Sequence, residues 1–294
     1  MIVQENFSYT SVLLKIMRFQ HVSSSYPITP VAMIRSVFQF RQLLWELVKR
    51  DFVGRYKGSI FGVVWSLFNP LLMLAIYTLV FSVAFKAKWG GGDESKVAFA
   101  IVLFSGIIVS NLFAECLNRA PGLIVSHPNY VKKVIFPLEI LPLMVLFSAL
   151  LHFLVSFIVL LIFCIVAGVH IYTGALLIPI ILTPLIFLIM GFLWIFASLG
   201  VYLRDVSQAM GMLTTVTLFL APIFYPIESL PHTYQSLLAW NPITLPVMQL
   251  RDLMLWNKPI QWGTWAISLT IGMLVCQTGY WWFQKSRKGF ADVI

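Results

Sequence analysis

Long apolar runs, broken by short polar stretches rich in Pro, Lys and Arg, dominate this sequence. Runs of sufficient length to cross about 30 Å of hydrocarbon as a helix lie at about 60–85, 97–118, 138–168, 172–201, 207–226 and 261–284. The pattern predicts an all-α integral membrane protein with six transmembrane helices, the third and fourth long enough to tilt or to extend beyond the bilayer. Ahead of the first run, Val37, Phe40, Leu44, Leu47 and Val48 recur at helical spacing, while Arg41, Glu46, Lys49 and Arg50 fall on other faces. That spacing predicts an amphipathic helix in the interface plane, which either anchors to anionic lipid or also docks a partner.

Two further segments break the spanning pattern. Arg119 to Pro137 is too polar and too interrupted by proline to cross, yet Val131, Val134, Ile135 and Phe136 give it an apolar side. It reads either as a membrane-surface loop or as a short helix that transmits force from a soluble subunit. From Pro226 to Pro259 five prolines separate apolar pieces at Ser236 to Trp240 and Leu245 to Trp256, each too short to span. These predict two short re-entrant helices on the outer side, tolerated at membrane depth only where protein or a water-filled path meets their backbone, and so suited to gate a channel.

Charge fixes the orientation. Lys15, Arg18, Arg35, Arg41, Lys49, Arg50, Arg55 and Lys57 precede the first run; Arg119, Lys132 and Lys133 lie between the second and third, Arg204 between the fourth and fifth, and Lys285, Arg287 and Lys288 at the end. With both termini in the cytoplasm these fifteen lie inside, against Lys86, Lys88, Lys96, Arg251 and Lys258 outside, as the positive-inside rule requires. The net charge of +9 is thereby explained without a nucleic-acid partner. The first thirty residues lack the apolar core of a signal peptide and are expected to stay on as a cytoplasmic extension.

Chemistry is sparse. Cys116, Cys164 and Cys276 follow no metal or disulfide spacing and read as small buried hydrophobes. Gly90-Gly91-Gly92-Asp93-Glu94-Ser95-Lys96 has the glycines of a phosphate-binding loop but not its Gly-Lys-Ser/Thr end, and the motif occurs nowhere else in the chain. Glu115 and Glu139 lie at predicted span ends, and His152, alone inside the third span, reads as a helix-to-helix hydrogen-bond partner. Neither an ion-driven carrier nor an intramembrane enzyme is indicated, and no metal or cofactor is expected. Aromatic residues make up 15% of the chain. Phe61, Trp65 and Phe68 share a face of the first span, and Phe219, Phe224 and Tyr225 cluster at the end of the fifth. Such rings can line a path along which a glycan slides, or they can pack between helices and mark the membrane interfaces.

Four stretches together resemble a known family. They are Arg55-Tyr56-Lys57-x-Ser59-x-x-Gly62-x-x-Trp65 with Pro70; Lys132-Lys133-x-x-Phe136-Pro137-x-Glu139-Ile140-Leu141-Pro142; Arg204-Asp205-Val206; and Pro222-Ile223-Phe224-Tyr225-Pro226 through Asn241-Pro242. Over about residues 35 to 290 the chain is similar to the ABC-2 type permeases that export polysaccharides, most of all to the membrane subunits of O-antigen ABC transporters, with capsule and teichoic acid exporters as sisters. The resemblance implies a transport subunit of the bacterial inner membrane rather than an enzyme: a homodimer with a channel at its interface, driven by two copies of a separate ATPase subunit that binds the ATP and magnesium. It divides the chain into an N-terminal cytoplasmic extension (1–35), an amphipathic interface helix (36–57) and an ABC-2 type transmembrane domain (58–294). The cargo implied is a polyprenyl-pyrophosphate-linked polysaccharide, with Arg50, Arg55, Tyr56 and Lys57 at the inner mouth placed to attract the pyrophosphate. Asn129, Tyr130, Lys132, Lys133 and Phe136 would form the helix coupled to the ATPase, and Arg204 and Asp205 a second contact or an ion pair. Export of a capsule or teichoic acid polymer, of a lipid or a drug, an ATP-independent flippase, and a membrane glycosyltransferase or acyltransferase are the alternatives.

Overall fold

The computed structural model describes residues 28–80, 96–132 and 136–294, and among these all regular structure is helical. The amphipathic segment ahead of the first span is two helices rather than one. Helix α1, Pro30–Gln39, starts with Thr29 as N-cap, its side chain accepting from the Ala32 amide, and with Pro in its first turn, where a missing N–H costs nothing. It breaks at Phe40, and α2, Arg41–Gly54, follows, burying Leu44, Leu47 and Val48. The helical pattern thus begins six residues before the predicted boundary at 36.

Gly58 and Gly62 then adopt positive φ (89° and 51°), a region open to glycine without a Cβ penalty, and this turn delivers the chain into α3, Trp65–Tyr77. The first predicted span is α-helical only from Trp65, after a 3-10 turn at Gly62–Val64, and its far end, 81–85, lies outside the described residues. Helix α4, Lys96–Arg119, is followed by the short α5, Pro128–Lys132. Helix α6 is Ile140–Val166, α7 Ile178–Tyr202 and α8 Val206–Leu220. The proline-rich segment forms α9, His232–Ala239, and α10, Thr244–Met254, as predicted from its two apolar pieces. Helix α11, Trp262–Ser286, leads to a final turn, α12, Phe290–Val293.

A helix therefore stands at each of the six predicted places. By length and composition three segments among the described residues could cross a membrane: Val97–Arg119, Ile140–Val166 and Thr173–Tyr202. Trp65–Val80 and Val206–Leu220 are apolar but shorter.

Helix α4 is the centre. It packs on α6, α8, α10 and α3, and every residue from Ile101 to Ser110 is buried. The most extensive pairing joins α7 to α11. A Cβ on Gly191 or Gly279 would strike the backbone carbonyl of Val275 or Gly191, and one on Gly272 would sit 2.6 Å from that of Pro184. Three glycines thus let two helix backbones touch, the way helices associate where burial of apolar surface from water is no longer available.

Candidate functional site

At the end of the bundle where α4 closes on Arg119, five ionisable side chains from three segments converge. Asp51 and Arg55 are one turn apart at the end of α2, and Glu115 and Arg119 one turn apart at the end of α4, spacings that place each pair on one helix face. Arg119 forks onto Asp51, Nη1 donating to Oδ2 (3.0 Å) and Nη2 to Oδ1 (2.5 Å). Arg55 donates to Glu115 in a short contact and lies 3.6 Å from Asp51. His152, from α6, completes the group. Its Nδ1 is 3.2 Å from Glu115 Oε2, its Nε2 is 3.1 Å from the Tyr56 hydroxyl, and its ring stacks on Phe52 at 4.8 Å. Arg55 Nη1 also lies 3.1 Å from Nδ1, so a guanidinium donor and a carboxylate acceptor compete for the same ring nitrogen, and the tautomer decides which of the two bonds is made.

The charges cancel in pairs, which is what allows them to sit beside apolar helices. Burial raises the Asp51 carboxyl, but the hydrogen bonds from Arg119 and the charges of Arg119 and Arg55 outweigh it and hold the group below the usual carboxylate range. The Tyr56 phenol is raised, mainly by burial. The sequence places Glu115 at a span end and reads His152 as a lone hydrogen-bond partner; the structure joins them into one polar cluster. The two i,i+4 acid-base pairs were the sequence signal for it.

Above the cluster, between α3, α4 and α6, opens a cavity of about 460 Å³. Arg55, Tyr56, Glu115 and His152 form its floor, and Asn69, Asn111, Ser66 and Ser156 line its walls with Pro70, Met73, Tyr77 and Phe153. On the other side of Arg55 a hollow of about 320 Å³ is lined by Arg50, Asp51, Arg55 and His127. Of the residues assigned to the inner mouth, Arg50 and Arg55 share this hollow, Tyr56 turns into the larger cavity, and Lys57 is exposed.

Arg50 Nη2 donates to the Tyr130 hydroxyl (2.6 Å), and this bond ties α2 to α5. Tyr130 is sandwiched by His127 (5.6 Å) and Phe136 (4.2 Å), all three rings nearly parallel. Asn129 and Lys132 are exposed beside it, and Lys133 lies outside the described residues. The Phe136-Pro137-x-Glu139 motif is an anchor. Glu139 pairs with Arg287 at 2.8 Å, accepts from the Ser36 hydroxyl at 3.2 Å, and its carbonyl accepts from the Trp194 indole at 3.3 Å. Arg204 and Asp205 are both exposed in the turn before α8, with no ion pair between them among the described residues.

Residues 42–255 match the ABC-2 type transporter family. The chain belongs to that family. Its relatives include the O-antigen export system permease protein RfbA of Klebsiella pneumoniae, 25% identical over 86% of this chain and 95% of the relative, and RfbA of Myxococcus xanthus, 26% identical over 72% and 80%. The polysialic acid transport protein KpsM of Escherichia coli is 24% identical over 75% of this chain and 84% of its own length. The ABC-2 match spans the charge cluster, both hollows, α5 and the α9–α10 segment, and ends one residue after α10.

In this ABC-2 chain the predicted aromatic faces stand open. Phe61, Trp65 and Phe68 are exposed and meet edge to face, at 5.8 and 5.1 Å. On α8 Phe219 is exposed and stacks on the half-buried Phe224 at 5.6 Å, while the Tyr225 hydroxyl donates to the Phe219 carbonyl. The two groups belong to separate parts of the chain, the entry to α3 and the end of α8.

Missed altogether by the sequence reading is Arg251, counted there as an outer-loop charge. It is fully buried, with Nε donating to the Val102 carbonyl (3.0 Å), Nη1 to that of Pro222 (2.6 Å) and Nη2 to that of Ile223 (3.3 Å). A guanidinium keeps its charge at neutral pH even when buried. It pins α10 and the Pro222-Ile223 turn to α4.

Proposed function

We propose that this chain is the permease subunit of an ABC transporter that exports a lipid-linked polysaccharide, of the O-antigen class, across the bacterial inner membrane. Two copies form a channel at their interface, six spans each with both termini in the cytoplasm, and two copies of an ATPase subunit dock on the cytoplasmic side. The names of the RfbA relatives support the cargo, and the KpsM relatives support a capsule-type polymer as the second reading. The observation that carries the proposal is the continuous contact from α5 through Tyr130 and Arg50 into α2, and from Asp51 and Arg55 on to Arg119 and Glu115 of the central helix. A push on α5 has a stiff path to the span that fills the bundle. ATP hydrolysis in the partner moves α5, α2 follows, and the pairs at the inner mouth change register as the glycan enters.

The test reverses the charges of the coupling segment. The double variant Lys132→Glu/Lys133→Glu is expected to reach the membrane at normal level and to lose co-purification of the ATPase by about tenfold, the size expected when two interfacial charges become repulsive. Undiminished co-purification overturns the coupling assignment.

A further inference from the structure

Asn69 on α3 and Asn111 on α4 are primary amides within apolar helices, and both are exposed toward the 460 Å³ cavity. Amides at such positions ordinarily bond across to a neighbouring helix, because an unmet donor or acceptor in hydrocarbon is costly. Neither has a side-chain partner among the described residues, and nor does Ser156 across the cavity on α6, whereas the serines and threonines facing the helix packing, such as Ser105, Ser198 and Thr214, bond to carbonyls one turn back. Polar atoms without a partner are also enclosed elsewhere, at Ser148, Thr244, Gln249 and Gln277, but Asn69, Asn111 and Ser156 border one open cavity.

Charge decides what kind of ligand they suit. The cations at the floor are already neutralised, Arg55 by Glu115 and Asp51, Arg119 by Asp51, so no free positive charge remains there to hold an anion. What is offered is paired donors and acceptors, two amides and a hydroxyl, on walls that also carry the rings of Tyr56, Tyr77 and Phe153. Adjacent hydroxyls match amides that both donate and accept, and the apolar face of a sugar ring matches an aromatic ring. The volume falls in the range of small-molecule sites.

We infer that this cavity is a binding site for one uncharged, hydroxylated sugar unit, contacted by Asn69, Asn111 and Ser156. The inference rests on the export reading above and deepens it: the glycan is gripped within each protomer, beside the ion-pair cluster, as well as sliding along the aromatic faces. A filled site lies directly on the Arg55, Glu115 and His152 floor, so occupancy and the position of α2 are mechanically linked.

The test uses the whole permease and ATPase complex in inside-out membrane vesicles, from cells that make the glycan and from cells that do not. A cysteine at the site, Asn111→Cys, is titrated with a small cationic methanethiosulfonate; Cys116, Cys164 and Cys276 are buried and contribute little background. Labelling is expected to slow about fivefold when glycan is present, the effect of a site mostly occupied by ligand. Ser207→Cys, exposed at the start of α8 and outside the cavity, is expected to react equally in both. Alongside, Asn69→Leu/Asn111→Leu is expected to lower surface glycan about tenfold relative to membrane-inserted protein, for two lost hydrogen-bonding groups. Equal labelling at Asn111→Cys with and without glycan, or no labelling in either, overturns the site whether or not the leucine variant folds. Failure of the unaltered complex to export any glycan sinks the export reading instead, since it is measured in the same cells before any substitution.

Discussion

Arg251 and the Asp51 to His152 cluster show how much a single side chain can carry here. Arg251 spends its two Nη groups on the carbonyls of Pro222 and Ile223, which lie beyond the end of α8 where no helix ladder meets them, and Gly106 makes room for it, since a Cβ there would lie 2.7 Å from Nη2. Replacing it with Met leaves the carbonyls of Pro222 and Ile223 without this donor in the core. Arg251→Met is expected to destabilise the fold by about 3–5 kcal/mol, read by thermal unfolding in detergent. Arg251→Lys should recover only part of that loss, because an ammonium cannot reproduce the planar fork. In sequence Arg251 and Lys258 look alike, two cations in a polar segment. One ends 1% exposed and the other on the surface, paired with Asp252 at 3.2 Å, because the acceptors Arg251 requires come from positions 149 and 29 residues away.

Helices form largely where the hydrophobic pattern puts them, and depart from it for identifiable reasons. Pro30 and Thr29 start α1 early, Phe40 interrupts what periodicity draws as one amphipathic helix, and the two positive-φ glycines delay α3 until Trp65. Two short helices, α9 and α10, stand where the proline-rich segment predicts two, α9 starting four residues early at His232, since the bounding prolines are local signals. Helix pairing was another matter: the α7–α11 contact depends on Gly191, Gly272 and Gly279, which in sequence are only small residues in apolar runs. Gly279→Val drives a side chain into the Gly191 backbone and is expected to cost about 1–3 kcal/mol or more, as overpacking does. Gly211→Ala, with nothing within 4 Å of the new methyl and a helix-interior position in α8, should instead stabilise by about 0.5–1 kcal/mol. Unfolding temperatures of the two variants measured side by side check both signs.

At the scale of the molecule the apolar surface is divided unequally. The central helix is enclosed, while α3 and α8 leave Phe61, Trp65, Phe68 and Phe219 open along with Leu71, Met212 and Val216. If these rings line the path of a glycan, Trp65→Ala lowers export far more than abundance. We expect export to fall about fivefold with membrane level little changed, since stacking on one ring contributes on the order of 1 kcal/mol. Matched losses of export and protein would assign the ring to packing.

The sequence alone determined the class of structure, the places of its helices, the family and the absence of a phosphate-binding loop, because each rests on local pattern: length of an apolar run, spacing of charges, position of a proline. Only the tertiary structure decided that Arg55 is neutralised by Glu115 rather than free, that His152 belongs to a five-member cluster, that Arg251 is a core residue, and that Asn69 and Asn111 face one cavity. The reason is physical. In so apolar a chain charged side chains must find their partners across helices, and which helices meet is fixed by close packing of distant segments, on which periodicity is silent.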